Sequence, residues 1–127
     1  MFSHITIGSN DLERSTKFYD AVMSALGHDR FYSGDGIVGY GKPAGNQTWI
    51  VRPFDGKAAT IGNGTHIAFL AQDRASVDAF HKAALANGGA DEGAPGLRPQ
   101  YHDSYYGTYV RDPDGNKIQA VCHHSEG

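Results

Sequence analysis

The sequence predicts an α+β fold: two βαβββ modules whose strands make a cup-shaped, eight-stranded mixed sheet, with both helices on its convex face. The main observation behind this is an internal repeat. Ser3-His4-Ile5-Thr6-Ile7 returns as Thr65-His66-Ile67-Ala68-Phe69. At the same offset of 62 residues, Asp11 meets Asp73, Phe18 meets Phe80, Ala21 meets Ala83, Gly27 meets Gly89 and Asp29 meets Asp91. The rear halves also repeat, at an offset of 70, with Pro43, Gly45 and Asn46 falling on Pro113, Gly115 and Asn116. Each half also runs in the same order: an alternating segment, a helical segment, then short strand-like pieces.

The elements follow in order. Residues 3–8 alternate, Ile5 and Ile7 on one face, His4, Thr6 and Gly8 on the other. Asn10 followed by Glu13 has the form of a capping box and predicts a helix start. The helix stripe is Leu12, Tyr19, Val22, Met23 and Leu26, and Gly27 stops it. Strands are expected over 30–32, 37–41 and 48–53. In the second half, 65–71 alternates, with Ile67 and Phe69 opposite His66, Ala68 and Leu70. Asp73 caps a helix that runs to Asn87 with the stripe Val77, Phe80, Ala84 and Leu85, ended by Gly88 and Gly89. A loop over 93–106 and a hairpin of 106–111 with 117–123 complete the unit. The hairpin turns through Asp112-Pro113-Asp114-Gly115-Asn116. The whole chain, 1–127, reads as one domain, its first module over 1–58 and its second over 63–123.

Composition narrows the function. A net charge of −3 with no basic stripe argues against nucleic acid as a partner. No apolar run approaches the roughly 20 residues that span a bilayer, so no membrane partner is expected. There is no leader-like start, and the single cysteine, Cys122, cannot pair internally, so a cytoplasmic protein is expected. By strand parity Cys122 joins Ile118 on the helix side and is expected to be buried.

His4 and His66 are pseudo-symmetric and each lies opposite the face that packs on a helix. Two such imidazoles suit a metal site, and equally suit a pocket that holds no metal. Gln119 shares a strand face with Lys117 and Val121 and points the same way. The internal repeat sets Trp49 against Gln119, and no carboxylate occurs over 48–54. Tyr101, Tyr105, Tyr106 and Tyr109 cluster around the last hairpin, with His102 among them, as a lid or as ordinary loop packing. Arg52 and Arg111 could draw an anionic substrate. From this set Trp49, Arg52, Tyr101, Tyr106 and Tyr109 are the candidate substrate-pocket residues.

Three strings carry a resemblance to a known family: Ser3-His4-Ile5-Thr6 with Asn10-Asp11-Leu12 and Phe18-Tyr19; Thr65-His66-Ile67-Ala68 with Gly88-Gly89; and Asp112-Pro113-Asp114-Gly115-Asn116-Lys117-Ile118. The chain resembles the vicinal oxygen chelate superfamily, which includes glyoxalase I, fosfomycin-resistance enzymes, extradiol dioxygenases and bleomycin-resistance proteins. The resemblance implies a glyoxalase-like cup with a divalent metal ion, whether Zn, Ni, Mn or Fe, held by His4, His66 and Gln119. Gln119 stands where the family normally offers a glutamate; its carbonyl oxygen can ligate but brings no charge. The implied function is a metal-dependent lyase or transferase acting on a small oxygen-rich substrate, with authentic glyoxalase I activity disfavoured because its glutamates are missing. The alternatives are metal-independent sequestration of a small molecule, as in the bleomycin-resistance branch, and extradiol-type dioxygenation. The resemblance also implies a homodimer, its cup built within one chain or swapped between two.

Overall fold

The structure is a computed structural model that describes residues 1–126. Ten elements follow one another: β1 (His4–Gly8), α1 (Leu12–Ala25), β2 (Arg30–Gly34), β3 (Ile37–Gly41), β4 (Gln47–Val51), β5 (His66–Leu70), α2 (Arg74–Ala86), β6 (Ala90–Leu97), β7 (Tyr106–Arg111) and β8 (Lys117–Cys122). The eight strands divide into two four-stranded sheets of matching order, β1-β4-β3-β2 and β5-β8-β7-β6, and do not form one continuous ladder. In each sheet the first strand runs parallel to the last and the remaining pairs are antiparallel. β1 and β5 therefore each sit at a sheet edge.

Both helices form for readable local reasons. The carboxylate of Asp11 accepts from the Arg14 N–H, and that of Asp73 accepts from the Ser76 N–H, so each satisfies a donor that the first helical turn leaves unpaired. The cap of α1 is thus Asp11 and not Asn10. Asn10 instead clamps the linker, taking the Ala59 N–H on its Oδ1 and giving its amide to the Ala59 carbonyl. Both helices end in a glycine of positive φ, Gly27 and Gly88. The next N–H folds back on the helix: His28 N to Met23 O, and Gly89 N to Ala84 O.

The helices pack against each other, α1 also against β3 and β4, and α2 against β6, β7 and β8. The core lies between the helices and the inner sheet faces. Phe18, Tyr19, Val22 and Met23 meet Ile7, Val38, Tyr40 and Ile50, while Val77, Phe80 and Ala84 meet Val110, Ile118, Ala120 and Cys122. Cys122 is buried, as its parity requires. Leu85 departs from the expected α2 stripe and is exposed.

The expected loop over 93–106 is half strand. β6 takes Ala90–Leu97 despite Gly93, Pro95 and Gly96, because it is an edge strand where a missing N–H and register shifts are tolerated. The long connection shortens to the segment between Leu97 and Tyr106.

Candidate functional site

Alternation decides which side chains can form a site. In β1 the apolar Ile5 and Ile7 turn inward, leaving His4 and Thr6 exposed on the opposite face. In β5 Ile67 and Phe69 turn inward, leaving His66, Ala68 and Leu70 exposed. β5 lies beside β8 with His66 against Lys117 and Ala68 against Gln119. This register lets the His66 ring reach across to the Gln119 amide.

His66 Nε2 and Gln119 Oε1 are 3.0 Å apart. The Tyr105 hydroxyl donates to the same oxygen at 3.2 Å. Tyr109 meets the His66 ring edge-on at 5.6 Å between centroids. The Lys117 ammonium lies 4.9 Å from the centroid of the Tyr109 ring, and the Arg98 guanidinium carbon 5.9 Å from it. Burial, then the hydroxyl of Tyr101 and the neighbouring Tyr105, hold the Tyr109 phenol well above the ordinary tyrosine range, so it stays neutral at physiological pH. Gln119 is 1% exposed, and its amide nitrogen is buried with no partner among the described residues. Turning the amide over only transfers the unpartnered position to the oxygen. Either way a buried polar atom beside His66 is left to be satisfied.

The candidate residues divide between the two sheets. His66, Gln119, Tyr101 and Tyr109 come together on the second sheet. Trp49 lies on the first, paired with Thr6 and flanked edge-on by Phe31 and Tyr32 at 5.4 and 5.6 Å. Gly39 makes room for it: a Cβ there would fall 2.6 Å from the indole. His4 begins the first sheet, its Nδ1 2.8 Å from the Ser3 hydroxyl. Among the described residues no hydrogen bond or ring contact joins His4 to His66 or Gln119. The part of β1 that meets the start of β5 is its far end. Thr6, Ile7 and Gly8 share a cavity with His66, and the Asn116 amide, next to Lys117, donates to the Gly8 carbonyl at 3.4 Å. His4 is four residues upstream of Gly8, about 13 Å along a strand.

Tyr106 and Arg52 are not part of the His66 cluster. Tyr106 has the opposite parity to Tyr109, and its hydroxyl donates to Asp78 of α2 at 2.6 Å with Arg74 over its ring. Arg52 is exposed and faces Asp35 at 3.4 Å. Arg111 is held by Glu92 at 2.7 Å. The sequence motifs do not single out Lys117 or Arg98 as site residues. Lys117 carried a usable signal, its shared strand face with Gln119. Arg98 carried none, because its position depends on how the chain turns after β6.

Among the described residues no group of three or more His, Cys, Asp or Glu side chains is arranged to hold a metal ion. Within one chain His66 and Gln119 place an imidazole nitrogen and an amide carbonyl at one point of the cup face. That is a neutral two-donor set, which fits part of a divalent site and leaves the rest to another ligand.

This fold is that of a recognised class. The family model described as the Glyoxalase/Bleomycin resistance protein/Dioxygenase superfamily matches residues 1–120, and the chain belongs to that superfamily. A crystal structure of a glyoxalase/bleomycin resistance protein from Albidiferax ferrireducens T118 is 44% identical, with a TM-score of 0.89 over 98% of this chain and 99% of that one. A glyoxalase-related enzyme from Fulvimarina pelagi shares the fold at 22% identity and a TM-score of 0.74, over 96% of this chain and 87% of that one. A family enzyme from Burkholderia phytofirmans PsJN does so at 16% identity and a TM-score of 0.72, over 96% and 98% of the two chains. No curated protein matches the sequence.

Proposed function

We propose that the chain is a metal-assisted lyase or transferase acting on a small oxygen-rich molecule, and that its site is completed in a homodimer. The supporting observation is the 3.0 Å approach of His66 Nε2 to Gln119 Oε1, beside a buried amide atom that lacks a partner. His66 and Gln119 of one chain and His4 of a second copy would hold the ion. A second copy is invoked because Thr6–Gly8, and not His4, approach His66 within the chain. The outward sheet faces also leave Leu70 and Tyr32 exposed for a partner to cover.

When bound, the ion supplies Lewis-acid polarisation of substrate oxygens. The chain's own residues orient the substrate: Tyr105 and Tyr109 offer phenols, and Lys117 offers positive charge. Gln119 has no useful basicity, so it takes no part in proton abstraction.

Metal analysis of the purified protein tests this, with His4→Ala and His66→Ala each expected to lose the ion. Mixing the two variants and refolding them together is expected to restore one metal per mixed dimer, because one composite site then has wild-type ligands. A site built within one chain would not be restored.

The neutral Gln119, already accepting from Tyr105 and His66, favours a second reading: metal-free small-molecule binding. A ligand that raises the melting temperature equally with and without chelator would select it.

A further inference from the structure

We infer that the cavity between the two sheet edges is a binding site for a small oxyanion, a carboxylate or phosphate group, with Lys117 as its counter-cation. The cavity is about 170 Å³ and is lined by Thr6 and Gly8 of β1, Thr60 and Gly62 of the linker, Thr65 and His66 at the start of β5, and the Asn116–Lys117 corner. That volume suits one small polar group, being below the roughly 300 Å³ at which pockets take drug-sized molecules.

Its lining mixes backbone donors and acceptors with Ile7, Ile61 and Ile67. Backbone direction alternates along a strand. The Ser9 N–H bonds back to Val51 of β4, so the N–H groups of Thr6 and Gly8 point the other way, off the edge of the first sheet. The Ala71 N–H bonds back to Val121 of β8, so the N–H of His66 points off the edge of the second. Both edges lack a neighbouring strand. Three backbone N–H groups and the residues Thr6, Thr60 and Thr65 therefore line the space, together with the carbonyls of Thr6, Gly8 and His66, which leave the same edges and of which that of Gly8 takes the Asn116 amide at 3.4 Å.

Charge points the same way. Four arginines are matched by carboxylates, Arg14 by Asp114, Arg30 by Asp20, Arg52 by Asp35 and Arg111 by Glu92, while Arg74 lies over the Tyr106 ring on the helix side. Among the described residues Lys117 and Arg98 have no carboxylate within ion-pair distance. Lys117 rests on the face of Tyr109, and Arg98 donates to the carbonyls of Gly96 and Ala94. The carboxylate of Glu92, which Arg111 holds at 2.7 Å, is the acidic group whose field reaches Lys117, so the charge of Lys117 is offset only in part, and together with Arg98 it leaves that wall of the cup attractive to anions. Lys117 belongs to the cavity lining itself. That the anion is one end of the substrate rests on the small-molecule function proposed above; the site does not require a metal.

The test is calorimetric titration of the purified protein with inorganic phosphate and with malonate, in chelator, for the wild type, Lys117→Met and Gln119→Ala. Lys117→Met keeps the apolar stem on Tyr109 and removes only the charge; its circular dichroism and melting curve confirm that it folds. The expected result is saturable binding to the wild type, at least about tenfold weaker in Lys117→Met. Absence of binding to the wild type, or equal binding by a folded Lys117→Met, overturns the inference. Metal titration of the same proteins without phosphate separates the two ideas. Loss of metal in Gln119→Ala with metal retained in Lys117→Met shows that the anion site stands or falls apart from the metal reading.

Discussion

The hydroxyl of Tyr19, on α1, donates to the carboxylate of Asp112 at 2.6 Å across 93 residues of sequence. Both residues are buried. Asp112 also accepts the N–H groups of Asp114 and Asn116 and the Asn116 amide, so it shapes the turn before β8 while bonding to a helix of the other unit. Next to it, Asp114 accepts the Asn10 N–H, the Ser15 hydroxyl and the Arg14 guanidinium at the start of α1.

Tyr19→Phe should therefore cost about 1.5–3 kcal/mol, the range for a hydrogen bond to a charged group. Asp112→Ala should cost more, because it strands several buried donors at once. Urea denaturation monitored by circular dichroism measures both.

The same bond sets a pH dependence. Burial first, and Asp112 second, raise the Tyr19 phenol well above its ordinary value near 10. In the unfolded chain that phenol ionises near pH 10, so its contribution is intact below that pH and declines as the pH rises past it. The fall in melting temperature between pH 9 and 11 should be shallower in Tyr19→Phe, with the remaining slope carried by the other raised phenols, Tyr40 and Tyr109 chiefly through burial and Tyr106 through its bond to Asp78.

Trp49 is the one tryptophan of the chain and lies on the cup face of the first sheet. Covering that face with a second copy should shift its emission to the blue as protein concentration rises. Gly39→Ala places a Cβ 2.6 Å from the indole and should abolish that shift by displacing the ring. An emission maximum that ignores concentration over the range where sedimentation shows association would count against the proposed interface.

Cys122 is fully buried, with its thiol directed at the His124 carbonyl at 3.7 Å. Ellman's reagent should label it no faster than the chain unfolds, and the rate should rise in Tyr19→Phe. Rapid labelling of the native protein would contradict this burial.

Much of this was legible because the repeat and the strand parity are simple periodic signals. The repeat marked His4 and His66 as the openings of two like strands, and the parity of Gln119 put it on the cup face. β6 was not legible, because Gly93, Pro95 and Gly96 imitate a loop and only an edge position lets them be a strand. Clustering along the sequence groups Tyr106 with Tyr109, but their opposite parity on β7 sends the Tyr106 hydroxyl to Asp78 of α2. The separation of His4 from His66 could not be read at all. A repeat states that two strands are alike and is silent on which ends of them meet.

The clasp that Asp112 and Asp114 close on α1 ties the fate of each half to the other. Neither half can melt without stripping bonded partners from its sibling, so heat should dissolve the whole protein in a single step. By the same logic, proteolytic nicking of the tether between β4 and β5 should leave two fragments that stay associated and elute together, as the grip between them does not depend on that stretch being continuous.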